Sequence, residues 1–308
     1  MTTTADSAFR CAGASLLDTE PMAGSAPTEA AWLFVEQPGP WGRQAVAESR
    51  LPEAVRDHLA GIAARHGVRV QLIRRHGGTS GPGVRVFSAV LGDRPVLRTA
   101  LLADPGELLA STATVADDPL GHLAWEPYAG PLWLVCTNGR RDLCCAERGR
   151  PVTAALADRW PEATWETSHL GGHRFSGTLL ALPAGVVLGR LDPASAVEAC
   201  AALEAGRLPA HLARGRSGLP GAAQVAELHL RAELGLDRLD DVRVVAVESG
   251  RVRLEAGGAA YLVDVEESLG APRRQSCADL RTKAAPVYAV VGWVQDRMIA
   301  DPFPSDQH

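Results

Sequence analysis

Apolar residues along this chain come mostly in short runs punctuated by Gly and Pro, with a few stretches of helical spacing between them. Ala31–Glu36 (AWLFVE) is such a run, closed by the breakers of residues 37–42 (QPGPWG), and it predicts a buried strand. Pro52 then opens a helix through His66, with Ala54, Val55, Leu59, Ile62 and Ala63 on one face and Gly67 as its stop. Val68–Arg74, Val84–Leu91 and Pro95–Leu102 are strand-like, and the Gly-rich segment His76–Gly83 interrupts them. This first lobe reads βαβββ.

The order then repeats. After Pro127–Pro131 the pattern predicts a strand Leu132–Cys136, a loop through Asp142, a helix Val152–Trp160, a strand Ala163–Ser168, a Gly-bearing loop, and strands Phe175–Leu182 and Val186–Leu191. Both lobes open on a strand carrying Trp (Trp32, Trp133), pass through a helix and meet a His-containing Gly loop, which points to an internal duplication. A helix Ala194–Ala205, an Arg-rich loop His211–Gly221 and an amphipathic helix Ala222–Leu234 follow. Strands Val242–Glu248, Arg251–Glu255 and Ala260–Val265, joined at Ser249-Gly250 and Gly257-Gly258, with Val287–Val294 as a final strand, make a small α+β unit. Residues 1–29 hold neither period and read as an extended lead-in, and the polar, Pro-broken tail after Met298 reads as frayed. The expected organisation is α/β (α+β): lead-in 1–29, lobes 30–126 and 127–207, and a C-terminal helix and α+β unit at 208–308.

Composition narrows the function classes. The 308 residues are 46% hydrophobic and 22% charged, and 31 Gly with 21 Pro stay below the share of roughly 25–30% that marks low-complexity chains. A net charge of −5 gives no support for nucleic-acid binding. The longest apolar stretches, Leu179–Gly189 and Val287–Val294, fall short of the roughly 18 residues of a membrane span, and the N-terminus lacks the pattern of a secretory signal, so a cytoplasmic protein is expected. Six cysteines (Cys11, Cys136, Cys144, Cys145, Cys200, Cys277) are too few for a disulfide scaffold.

Three of them lie in CTNGRRDLCC, residues 136–145, and SHLGGHRF follows at 168–175. Cys136 ends a buried strand, the usual address of a functional group in an α/β layer. Cys145 precedes a helix, where the dipole favours a thiolate. Eight residues between them exclude a thioredoxin-type CxxC and exceed zinc-finger spacing. His169 and His173 flank Gly171 and Gly172, so a tight loop is expected rather than a helix. Two Cys and two His on separate segments suit zinc or an iron–sulfur cluster, against the plain alternative of buried thiols and hydrogen-bonded loop histidines. Cys200 reads as a small core residue, Cys11 and Cys277 as isolated, His76 as a loop cap or a vestigial ligand, and Trp133, Trp160 and Trp165 as core. Arg214 and Arg216 read as partners of acidic residues of the same chain.

The stretch LWLVCTNGRRDLCCAERGRP…WETSHLGGHRFSGTLLALPAGVVLGRLDP resembles the sucrase/ferredoxin-like proteins, a branch of the thioredoxin-like [2Fe–2S] ferredoxins. The lead-in EPMAGSAPTEAAWLFVEQPGPWG and the segment RGRSGLPGAAQVAE carry the resemblance more loosely. It implies thioredoxin-like lobes and one [2Fe–2S] cluster. The first ligand pair falls on Cys136 and Cys145, and the second, CxxxC in most relatives, is the HxxxH of His169 and His173, as in bis-histidine members. Cys144 is then the spare neighbour. The implied function is one-electron transfer with a redox partner protein, a reductase or an acceptor. Loop arginines Arg140, Arg141, Arg148, Arg150 and Arg174 favour an acidic one. Neutral imidazoles in place of thiolates raise the potential and make it pH-dependent. The alternatives are a structural Cys2His2 zinc module and a thiol oxidoreductase using Cys144, Cys145 or Cys136. No carboxylate pair stands in a glycosidase context, so sucrose hydrolysis is not expected.

Overall fold

Among the described residues, 9–78, 81–110 and 123–296 of a computed structural model, ten strands form one mixed sheet. Its first half comprises β1 (Ala31–Glu36), β2 (Val68–Arg74), β3 (Val84–Val90), β4 (Val96–Leu102) and β5 (Glu126–Pro127). Its second half comprises β6 (Leu132–Cys136), β7 (Thr164–Thr167), β8 (Leu179–Leu182), β9 (Val186–Leu188) and β10 (Ala213–Arg216). The order β10-β9-β8-β6-β7-β2-β1-β3-β4-β5 places the same topology on each side of the β2–β7 contact. In each half a parallel pair (β1/β2, β6/β7) is followed by two antiparallel neighbours (β3/β4, β8/β9). The halves meet edge to edge through two antiparallel pairs only, Ile73↔Thr167 and Arg74↔Glu166.

Alternation along the strands divides the core between the two faces. Leu33 and Val35 of β1 pack with α2 (Glu53–His66), and Trp133 and Val135 of β6 pack with α3 (Leu143–Arg159) and α4 (Pro193–Glu204). The opposite side chains, Trp32, Phe34, Leu132, Leu134 and Cys136, join Ile73, Phe87 and Trp165 in one core that runs through both halves. Trp165 is held edge-on to Phe87 at 5.6 Å and, like Trp133, is buried in core as expected, whereas Trp160 is half-buried and packs against Trp133 from the rim of its cluster.

The remaining unit sets α5 (Gly221–Leu234) on a four-stranded antiparallel sheet of β11 (Val242–Glu248), β12 (Arg251–Ala256), β13 (Ala259–Leu269) and β16 (Pro286–Asp296). Between β13 and β16 the chain makes an excursion carrying the short ribbon of β14 (Arg273–Arg274) and β15 (Thr282–Lys283). Among the described residues no helix is long and apolar enough to cross a membrane.

Four expectations need correction. The lead-in is not all extended: Cys11–Leu17 forms a helix, α1, that buries Cys11, Ala12 and Ser15. Helix α3 starts at Leu143 rather than Val152, because Asp142 caps it by accepting the Cys144 N–H and the helix then runs through Pro151. Strand β8 begins at Leu179, since residues 173–175 form a single 3₁₀ turn after the glycines. The Arg-rich loop contains β10, an edge strand whose arginines disguise it. The tail after Met298 and residues 79–80 of the Gly-rich segment lie outside the described residues.

Candidate metal centre

The carboxyl ends of the parallel pair β6 and β7 face one another, and the sequence-predicted donors gather there. Cys136 is the last residue of β6, with its side chain in the shared core. Cys145 is the third residue of α3, inside its first turn rather than ahead of it. His169 follows β7, and Gly171 and Gly172 with φ of +90° and +67° turn the chain so that His173 opens the 3₁₀ turn. A residue with a Cβ at position 172 would also press on the Arg214 guanidinium.

His169 Nδ1 lies 3.9 Å from Cys136 Sγ and 3.8 Å from Cys145 Sγ, and the three donor atoms are mutually within 4.8 Å. His173 is next in line: its Nδ1 is 3.4 Å from His169 Nε2, and its Nε2 is 3.8 Å from Asp142 Oδ2. Both thiols are 1% exposed, whereas the imidazoles lie at the rim, the His173 side chain 17% exposed. The thiols share a proton. Cys136 is held well below the ordinary thiol value, chiefly because Cys145 donates to it, and Cys145 is pushed up by the same bond and by burial. Burial lowers His173 from the ordinary imidazole value, with Asp142 opposing, which favours the neutral ring that a metal ligand needs. Soft sulfur inside, imidazole outside and a carboxylate behind the second ring form a donor set that fits a soft metal centre.

Sequence reasoning missed what surrounds these donors. Arg214 is 2% exposed and, among the described residues, forms no ion pair. Its guanidinium donates to the carbonyls of Gly171 and Ser25 and to the Ser25 hydroxyl. Burial brings it down to about 9, with the Arg174 and Arg69 charges adding and Cys136 and Cys145 opposing, so it remains a cation beside the Cys136–Cys145 pair. Arg69 and Gln71 of β2 both donate to the His169 carbonyl, at 3.1 and 3.3 Å, so the first half of the sheet fixes the histidine loop of the second.

Other expectations divide. Arg216 pairs Glu227 as expected, and Cys200 is a buried residue of α4 whose thiol burial pushes up. Arg174 is not free for a partner, since it pairs buried Glu20 at 2.7 Å; Arg140 and Arg150 are exposed. His76 is no ligand here: its Nδ1 is 3.0 Å from Glu166 at the seam between the halves. Cys11 and Cys277 are not isolated. They meet Cys144, which points away from Cys145, and within that group Cys144 is the thiolate, lowered by S–H donation from Cys11 and then Cys277.

Residues 22–215 match the family described as sucrase/ferredoxin-like. No curated protein and no solved structure matches the chain.

Proposed function

The chain belongs to the sucrase/ferredoxin-like family, the matched residues 22–215 being well over half its length, and on that premise we propose that it is a thioredoxin-like ferredoxin carrying one [2Fe–2S] cluster. The observation that carries the reading is the convergence of Cys136, Cys145 and His169 at the ends of β6 and β7, with His173 3.4 Å behind His169. Such a cluster, when bound, accepts and returns one electron. The protein's residues do the rest. Cys136 and Cys145 would hold the cluster from the interior, where the shared core excludes water, and His169 and His173 would hold it from the rim. Neutral imidazoles remove two negative charges from the shell and raise the potential relative to four cysteines. Arg214 adds a buried positive charge that favours the reduced state. At the rim an imidazole can take up a proton at the nitrogen that is not a ligand, which makes the potential fall with rising pH. Exposed Arg140 and Arg150 favour an acidic redox partner, and six free cysteines suit a reducing, cytoplasmic setting.

The compactness of the trio, within 4.8 Å, supports a second reading in which a single zinc ion sits there in a structural role. Iron and acid-labile sulfide content with a visible spectrum, on protein purified anaerobically beside His169→Ala and His173→Cys variants, decides between them. Equimolar iron and sulfide, with bands that shift in the variants, are the expected result. A colourless protein with stoichiometric zinc that is lost in His169→Ala would replace electron transfer by the structural reading.

A further inference from the structure

Three cysteines far apart in the chain meet beside the cluster site without belonging to it. Cys11 is the first residue of α1, Cys144 the second of α3, and Cys277 lies in the excursion between β13 and β16. Cys144 Sγ is 3.3 Å from Cys277 Sγ, which is 3.6 Å from Cys11 Sγ, and Asp142 Oδ1 is 3.5 Å from Cys11 Sγ. One oxygen of Asp142 and the three sulfurs lie within 4.8 Å of one another. Both Cys11 and Cys277 fall outside the residues that carry the family match.

A thiol is a weak hydrogen-bonding group, so three of them gain little from one another alone. The distances suit a shared ion. Zinc–sulfur bonds of about 2.3 Å at tetrahedral angles place two sulfurs about 3.8 Å apart, and a zinc–oxygen bond of about 2.1 Å places a carboxylate oxygen about 3.6 Å from each sulfur. The Cys277–Cys11 and Asp142–Cys11 separations lie within about 0.2 Å of these, Cys144–Cys277 is about half an ångström shorter, and all four atoms stay within 4.8 Å of one another. A disulfide would employ only two of the three sulfurs and leave the third unmatched.

Asp142 has capacity for a fourth bond. Its Oδ1 accepts the Cys144 N–H at 3.0 Å, and its Oδ2 accepts the Cys277 N–H at 2.8 Å and the Ser276 hydroxyl at 2.9 Å. Of about four lone-pair positions on a carboxylate, three are thus used, and the one left on Oδ1 is on the oxygen that meets the Cys11 thiol. We propose that Cys11, Cys144, Cys277 and Asp142 hold a zinc ion, a second site distinct from Cys136, Cys145, His169 and His173. The ion fastens α1, the start of α3 and the excursion of the C-terminal unit to one another. That excursion already reaches the rim of the first site, where backbone at Gln275 hydrogen-bonds His173. The zinc site therefore anchors the segment that meets His173.

The test uses the full chain, expressed with zinc and iron supplied and purified anaerobically, with zinc, iron and sulfide counted in the wild type, Cys11→Ser, Cys277→Ser and the core control Cys200→Ser. The expected result, after dialysis against a chelator, is one zinc per chain kept in the wild type and the control and lost from the two site variants, while iron and sulfide are kept. If the site variants do not fold, Co²⁺ titration of the metal-stripped wild type, followed by alkylation and peptide mapping, takes their place. Sulfur-to-cobalt charge-transfer bands with Cys11, Cys144 and Cys277 protected together support the site. Zinc retained in Cys11→Ser and Cys277→Ser, zinc lost only with His169→Ala, or a Cys144–Cys277 disulfide in the anaerobic protein overturns it. Absence of iron in every protein, with zinc still lost in the two cysteine variants, defeats the cluster reading and leaves the zinc site standing.

Discussion

At single positions, two residues tune the centre without being donors. Gly149, one helical turn beyond Cys145, lies against the end of β6, and a Cβ there would overlap the carbonyl oxygen of Cys136. Backbone cannot yield as a flexible side chain can, so Gly149→Ala pushes α3 away from β6 and separates Cys145 from Cys136. Overpacking of this kind costs about 1–3 kcal/mol. The expected outcome is a lower urea midpoint together with loss of bound metal, whereas Gly61→Ala, whose Cβ would meet only the end of the Arg65 side chain, leaves the metal content unchanged. Arg214 acts through charge. With the proposed cluster bound, replacing it by Gln, which removes a buried cation beside Cys136 and Cys145, is expected to destabilise the reduced state and lower the potential. The shift is on the order of tens of millivolts, corresponding to roughly 1 kcal/mol at an effective dielectric near 20. A redox titration of Arg214→Gln at the wild-type potential would remove Arg214 from the electrostatics of the site.

Among elements, the contact between β2 and β7 carries more weight than its two residue pairs imply. Glu166 of β7 accepts Thr137 Oγ1 at 2.7 Å, is paired with Arg74 of β2 at 2.6 Å and has His76 at 3.0 Å. Burial alone would raise this carboxyl. The Thr137 bond, the Arg74 charge and bond, and then the His76 bond outweigh it and hold Glu166 below the ordinary carboxylate value. A carboxyl lowered in the folded state contributes stability above its unfolded value, and that stability is lost as pH falls through the folded value. Urea midpoints measured from pH 7 to pH 3 should therefore fall more steeply for the wild type than for Glu166→Gln. At pH 7, Glu166→Ala should cost about 3 kcal/mol by leaving Arg74 without its partner. Parallel pH profiles for the wild type and Glu166→Gln would rule out this source of acid sensitivity. The seam was not legible in the sequence, because Arg74 and His76 looked like strand end and loop cap, and their partner lies some ninety residues away. The strands themselves were. Ala31–Glu36 and Leu132–Cys136 are apolar runs, and buried strands need little more, while Val68–Arg74 (VRVQLIR) is read from its β-branched and aliphatic residues despite its polar ones. Helix α3 was half hidden, since its apolar spacing was recognised only from Val152, after Gly149 and Pro151, while the true start signal was the cap at Asp142. The same short stretch misled the reading of Cys144. Neighbours on a helix point about 100° apart, so Cys144 and Cys145 belong to different groups, but where Cys144 pointed depended on the closure of a chain that brings Cys11 and Cys277 together.

Across the whole molecule, the two halves of the large sheet have one topology and unequal chemistry. The first half has Trp32, α2 and the His76 loop where the second has Trp133, α3 and the donor loop, yet among the described residues only the second gathers Cys and His. What the first half supplies is position. Its β2 presents Arg69, fixed by Glu29 and lying over the Trp32 ring at 5.0 Å, and Gln71, hydrogen-bonded to Ser168, and both donate to the carbonyl of His169. A loop with two glycines of positive φ has little stiffness of its own, so its imidazoles are held by what grips its backbone. Removing outer groups that orient a metal ligand typically lowers affinity by about 10–100-fold. Because Arg69 and Gln71 hold the backbone rather than the ring, the lower end applies. An Arg69→Ala/Gln71→Ala double variant, with Cys136, Cys145, His169 and His173 all intact, is therefore expected to lose its metal to a chelator about tenfold faster than the wild type while its urea midpoint moves far less. Equal rates of loss would mean that the second half sets its histidine loop unaided, and that the joined sheet serves stability alone.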